Sequence, residues 1–259
     1  MTHVDRLVAH IREELGDLND VHPDAAFQYA SLPLCVIDAV FSIGVRYGST
    51  KNVVKSWCAF SGWELGRSSA TKERSISEFV GILRPYENRW VEMATEVFRN
   101  HHRTSSTSGI LKAEAAYRFA KTLQQFGVET FTDELRTSLR PDIRAAVTPI
   151  RGQGSGLSFS YFLILAGNKD AVKADRMVSR FVLGGTGLRR ISTEACADLV
   201  REAASVLRSQ FANLTPSLLD HAIWRYQRQK EEIESKSCRS QMCKPPSVPH
   251  IHCEVSPPS

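Results

Sequence analysis

No apolar run in the 259 residues approaches the roughly 20 consecutive apolar positions that a bilayer-spanning helix needs. The opening residues, Met1-Thr-His-Val-Asp-Arg6, lack the basic-then-apolar order of a secretory signal. A cytoplasmic chain without a membrane partner is the expectation. No stretch alternates apolar and polar residues at the two-residue period of a strand, and no segment repeats. That excludes sheet-based and solenoid architectures. Cysteine is sparse and badly spaced for metal. Cys238, Cys243 and Cys253 share the C-terminal stretch with His250 and His252, but no C-x2-C step brings ligands together. No metal site is expected there. Cys35, Cys58 and Cys196 lie in apolar, helix-like segments and read as reduced core thiols.

What is present is helical periodicity. Hydrophobic residues make up 42% of the chain and charged residues 24%, enough for a substantial buried core. Thr2 is placed to cap a helix with the stripe Val4, Leu7, Val8, Ile11 and Leu15. Ser31-Leu-Pro33 opens a strongly apolar helix expected to end near Tyr47-Gly48, and Ser49-Thr50 opens the next. Further helices are expected at 76–83 and 86–99, from Ile110 to a stop at Gly127, and over 131–139 and 141–147. Others follow at 157–166, at 175–183 with a stop in Gly184-Gly-Thr-Gly187, over 192–211, and from Thr215-Pro216 through Tyr226. Beyond Lys230 the composition turns to charge, then Pro, Ser and Cys. Residues 231–259 are expected to be a disordered tail.

One stretch points to chemistry. Ile150-Arg-Gly-Gln-Gly-Ser-Gly-Leu-Ser158 is a glycine hairpin opening a helix, and Asp175 lies 19 residues beyond Gly156. Glycines at 152, 154 and 156 allow positive φ and leave the backbone bare. Backbone N–H groups over Gly152, Gln153, Gly154, Ser155, Gly156 and Ser158, with the start of the next helix, can hold a phosphate oxygen without touching a base. A plain glycine-rich turn between helices is the structural alternative. Asp175 supplies a fixed carboxylate that can stabilise positive charge on a sugar and orient water. It can equally cap the following helix. Asp38, inside an apolar run, is a second candidate: a buried carboxyl stays protonated at higher pH and can act as a general acid. The net charge of +5 is compatible with a polyanionic partner.

The hairpin, followed by Lys173-Ala-Asp175-Arg-Met-Val178, resembles the helix-hairpin-helix DNA glycosylase superfamily, the endonuclease III-like group. Three further stretches are similar to its helices: residues 37–54, Leu111-Lys-Ala-Glu-Ala-Ala-Tyr117, and Leu219-Asp-His-Ala-Ile-Trp-Arg-Tyr226. The resemblance implies an all-α, two-lobed fold over residues 1–230. A central lobe of about 33–147 and the hairpin at 148–166 would be joined by a second lobe built from 1–32 and 167–230. It implies a monomer that binds DNA mainly through phosphates, flips a damaged or modified nucleotide, and hydrolyses its N-glycosidic bond at Asp175 without a cofactor. Arg46 and Tyr47 would then fill the gap in the stack.

The chain also departs from that pattern. Gly156 stands where bifunctional members carry their Schiff-base lysine, so a glycosylase without β-lyase activity is expected. Gly44 stands in place of a wedging glutamine, and the iron–sulfur cysteines after the closing helix are not reproduced. A catalytically silent DNA-binding protein remains the alternative, because the hairpin alone suffices for binding.

Overall fold

The computed structural model describes residues 1–22, 28–45, 47–68 and 71–242. Among them the fold is all-α, with two isolated antiparallel bridges, Tyr29 to Gly66 and Arg103 to Leu111. No helix is long and apolar enough to cross a membrane among these residues.

Helix α1 (His3–Leu15) starts with a capping box in which Thr2 and Asp5 satisfy each other's backbone N–H groups. Helix α2 (Leu32–Phe41) carries Pro33 in its first turn and is buried on every side. It ends earlier than the apolar run suggests. Gly44 takes a left-handed φ of 70° and breaks the run, and α3 (Tyr47–Ser61) begins before the expected start at Ser49. Lys112, at the start of α6 (Lys112–Gln125), secures this break. Its ammonium donates to the carbonyls of Phe41 and Ile43 at 2.9 and 2.6 Å, satisfying acceptors at the end of α2.

Helix α4 (Ile76–Leu83) is capped by Ser75. The single helix expected over 86–99 is instead broken. A 3₁₀ turn at Arg84–Tyr86 leads to Asn88 at a φ of 69°, a short α5 (Trp90–Glu92) and a π turn at Met93–Val97. After α6 stops at Gly127 (φ 69°), α7 (Asp133–Thr137) and α8 (Pro141–Val147) lead to the hairpin, which opens α9 (Leu157–Leu165). The chain continues through α10 (Arg176–Thr186), α11 (Thr193–Leu207) and α12 (Pro216–Met242). The expected break near Lys230 does not occur. Helix α12 runs on to Met242; within it Arg228 pairs with Glu232 one turn on, and Arg180 on α10 reaches Glu231 at 2.6 Å. Residues 243–259, with Cys243, Cys253, His250 and His252, lie outside the described residues.

Apolar burial divides between two clusters. The first surrounds Trp57, which meets Trp63, Phe79 and Phe98, and joins α2, α3, α4, α6 and α9. The second joins α1 to α10, α11 and α12 around Leu7, Ile11, Phe181 and Val200. The N-terminal helix is thus closed against the C-terminal ones. Gly185 permits this approach, since a Cβ there would fall 2.7 Å from the His10 ring. The chain crosses between clusters at 171–174: Ala171 belongs to the first, Val172 and Ala174 to the second.

Candidate functional site

The hairpin is built by short-range bonds. Ile150 N–H donates to Val147 O, Gln153 N–H to Ile150 O, and Gly156 N–H to Gln153 O, at 2.8–3.0 Å. Gly152 (φ 87°) and Gly156 (φ 69°) take the left-handed geometry that closes such turns. Gly152 is also pressed against Thr104, where an added Cβ would lie 2.2 Å from the threonine Cβ. Of the six residues named for a phosphate contact, Gly152, Gly154 and Ser155 are exposed, and Gln153, Gly156 and Ser158 are buried. The Ser158 hydroxyl donates to the Gln153 side-chain carbonyl, so this pair braces the hairpin from within. The N–H groups of Gly154 and Ser155 have no hydrogen-bond partner among the described residues. Both residues are exposed just before the head of α9.

Asp175 is the N-cap of α10. Its Oδ1 accepts from Met177 N–H at 2.8 Å and Val178 N–H at 3.3 Å. Its Oδ2 has no hydrogen bond with a described residue, and the side chain is half-buried. One carboxylate oxygen therefore fixes the group while the other stays uncommitted.

Asp38 is buried on α2. It accepts from the Tyr29 hydroxyl at 2.9 Å and the Tyr161 hydroxyl at 3.4 Å. Burial raises its pKa to about 6, against the opposing pull of the two tyrosines, Lys173 and Lys51. Asp220, on α12, is buried with Oδ1 unpartnered. Burial, then repulsion from Asp175, pushes its pKa well above the usual carboxylate range, and Lys173 partly opposes the shift. Lys173 itself lies 3.7 Å from the centre of the Tyr161 ring and feels all three carboxylates, Asp175, Asp38 and Asp220. One lysine and three aspartates thus interact where the chain passes from one cluster to the other.

Of the sequence candidates, Asp175 and Asp38 both act electrostatically on Lys173. Arg46 lies outside the described residues. Tyr47 is the first residue of α3 rather than lying at the end of α2. Sequence patterning missed Tyr29, Tyr161, Lys173 and Asp220. The charge of Lys173 within Ala171-Val-Lys-Ala174 was the available signal, being the one polar interruption of a buried crossing.

The model of the family described as "Domain of unknown function (DUF8548)" matches residues 5–228. The chain belongs to that family. No curated protein and no solved structure matches it. The DUF8548 match takes in both apolar clusters, the hairpin and the aspartate cluster, and ends inside α12.

Within this domain the thiols are poor nucleophiles. Burial pushes Cys58 and Cys196 up to about 11 and raises Cys35 well above the ordinary thiol range, so all three stay protonated near neutrality. A surface cavity of about 560 Å³ between α1, α10 and α12, lined by His10, Arg180, Phe181 and Tyr226, contains none of the clustered aspartates.

Proposed function

We propose that the chain is a DNA N-glycosylase with a two-lobed helix-hairpin-helix arrangement, which hydrolyses the bond between a flipped, damaged or modified base and its sugar. The observation that carries this reading is the state of Asp175. A helix cap holds one of its oxygens and leaves the other uncommitted, 19 residues beyond an exposed glycine hairpin. In the reaction, the N–H groups of Gly154 and Ser155 hold a backbone phosphate. The nucleotide leaves the stack. As the glycosidic bond lengthens, Asp175 stabilises the positive sugar and orients the attacking water. Asp38, kept protonated up to about pH 6, supplies a proton toward the leaving base. Excision on this route uses water, needs no cofactor and is carried out by a monomer in the cytoplasm.

The test is base release from a panel of modified duplex DNAs, read by mass spectrometry, for wild type beside Asp175→Asn. Release by wild type alone supports the reading. Release undiminished in Asp175→Asn removes Asp175 from the mechanism. DNA binding that persists in both with no release from any substrate favours the catalytically silent binding protein. That binding should weaken steeply as salt rises, since phosphate contacts release counterions.

A further inference from the structure

The cavity between α1, α10 and α12 has aromatic rings and a buried amide in its lining. The Phe181 ring lies 4.6 Å from the centre of the His10 ring and 5.7 Å from that of Tyr226, which stands edge-on to it. The Tyr226 hydroxyl donates to Glu14, which holds that ring in place. Gln227, also in the lining, is only 6% exposed, yet its side-chain amide makes no hydrogen bond with a described residue. A carboxamide offers two N–H donors and a carbonyl acceptor, and leaving them unmade in a buried position costs free energy. His10 is half-buried, and its ring nitrogens are equally without a hydrogen bond to a described residue. Gly184 leaves the adjoining wall bare, since a Cβ there would lie 3.9 Å from His10 Nε2.

Charge in the lining is balanced. Arg180 pairs with Glu231 at 2.6 Å, and the exposed Lys230 and Glu234 add one charge of each sign. A ligand with net charge would meet repulsion as well as attraction there. The volume, about 560 Å³, falls within the roughly 300–1,000 Å³ of small-ligand pockets, and aromatic walls with a few placed polar groups are their usual lining. Another amide is the group that answers Gln227, because it sets a donor beside an acceptor in one plane. A flat ring answers Phe181 and His10.

We infer that this cavity binds a small uncharged aromatic amide, whose ring packs on Phe181 and His10 and whose amide edge pairs with Gln227. An exocyclic carboxamide, as in nicotinamide, and a ring lactam, as in 2-pyridone, share that chemistry. The site is separate from the aspartate cluster: Gln227 lies two turns past Asp220 on α12, about 10 Å along the helix axis. It does not rest on the glycosylase reading.

The test titrates the full chain, without DNA, with nicotinamide and with 2-pyridone, followed by ligand-observed NMR and calorimetry. The corresponding ring carboxylates serve as charged counterparts. At least one of the two probes should bind, more tightly than its carboxylate, and which one binds tells carboxamide from lactam. Gln227→Leu removes the amide at similar volume and should weaken binding about tenfold. It should melt no lower than wild type, because it removes a buried, unpaired polar group. Gly184→Leu preserves α10, since leucine favours helix over glycine, and fills the space beside His10, so binding should be lost. Asp175→Asn should bind as wild type does. Binding of neither probe, a carboxylate that binds as tightly as its uncharged parent, or undiminished binding in Gln227→Leu or Gly184→Leu overturns the proposal. Loss in Asp175→Asn also overturns it, by moving the ligand to the aspartate cluster. With no DNA present, each of these results leaves the excision test untouched.

Discussion

Tyr161 touches Lys173 with its ring and Asp38 with its hydroxyl: the ammonium lies 3.7 Å from the ring centre, and Asp38 Oδ2 accepts from the hydroxyl at 3.4 Å. A single side chain on α9 therefore joins the hairpin's helix to both the acid on α2 and the amine beside Asp175.

Asp38 should make stability depend on pH. Its folded-state pKa of about 6 lies above its ordinary value of 3.8, so its contribution is fully present below about pH 4 and is lost as pH rises to about 6. The shift corresponds to about 3 kcal/mol. Asp38→Asn can still accept from both tyrosines but has no proton to lose. Its stability relative to wild type should rise by about this amount between pH 4 and pH 7, read from urea midpoints at each pH. Asp220 titrates in both proteins and cancels from the difference. A flat difference across that range would show that Asp38 is not desolvated.

The two exposed glycines of the hairpin should respond oppositely to a methyl group. Gly152→Ala forces a left-handed φ on alanine and drives its Cβ to 2.2 Å from Thr104. A loss of at least about 2 kcal/mol is expected from strain and displacement of the 104 loop. Gly154→Ala meets nothing closer than Thr148 O at 3.9 Å, and its stability should stay within about 1 kcal/mol of wild type. Thermal melting of both variants checks the pair. A fall in DNA affinity in the stable Gly154→Ala would then report on the hairpin surface itself.

Local signals made several of these elements legible. The Thr2 and Ser75 capping boxes, Pro33 in the first turn of α2, the Gly127 stop and the Asp175 cap each depend on residues a few positions apart. The end of α2 was hidden because the apolar run continues through Val45, while one left-handed glycine decides the break. The Arg180–Glu231 contact beyond Lys230 was hidden because its partner lies on another helix. The hairpin and Asp175 could be read as candidates from spacing alone. Tyr29, Tyr161 and Asp220 could not, because they join the cluster only when α2, α9 and α12 have packed.

Lys112 should be structural. Its two bonds to Phe41 O and Ile43 O close the end of α2, and burial lowers its pKa to about 8. Lys112→Met keeps the apolar stem and removes both donors, leaving two carbonyls to find other partners. About 3 kcal/mol of stability should be lost, since each bond involves a charged donor. Equilibrium unfolding of the variant measures this. An effect near zero would mean that water reaches both carbonyls and that the lysine is dispensable to the break.

Asp175 performs two tasks that substitution can separate. Asparagine retains an oxygen for the N–H groups of Met177 and Val178, whereas alanine does not. Asp175→Asn should therefore melt close to wild type, and Asp175→Ala should lose about 1 kcal/mol. Excision depends on charge rather than on the cap, so both variants should lose it alike, by about 10² to 10⁴-fold. An Asp175→Asn protein that excises at the wild-type rate, beside an inactive and destabilised Asp175→Ala, would assign the residue to the helix cap alone. Equal loss in both, with only alanine destabilised, would place the carboxylate charge in the reaction.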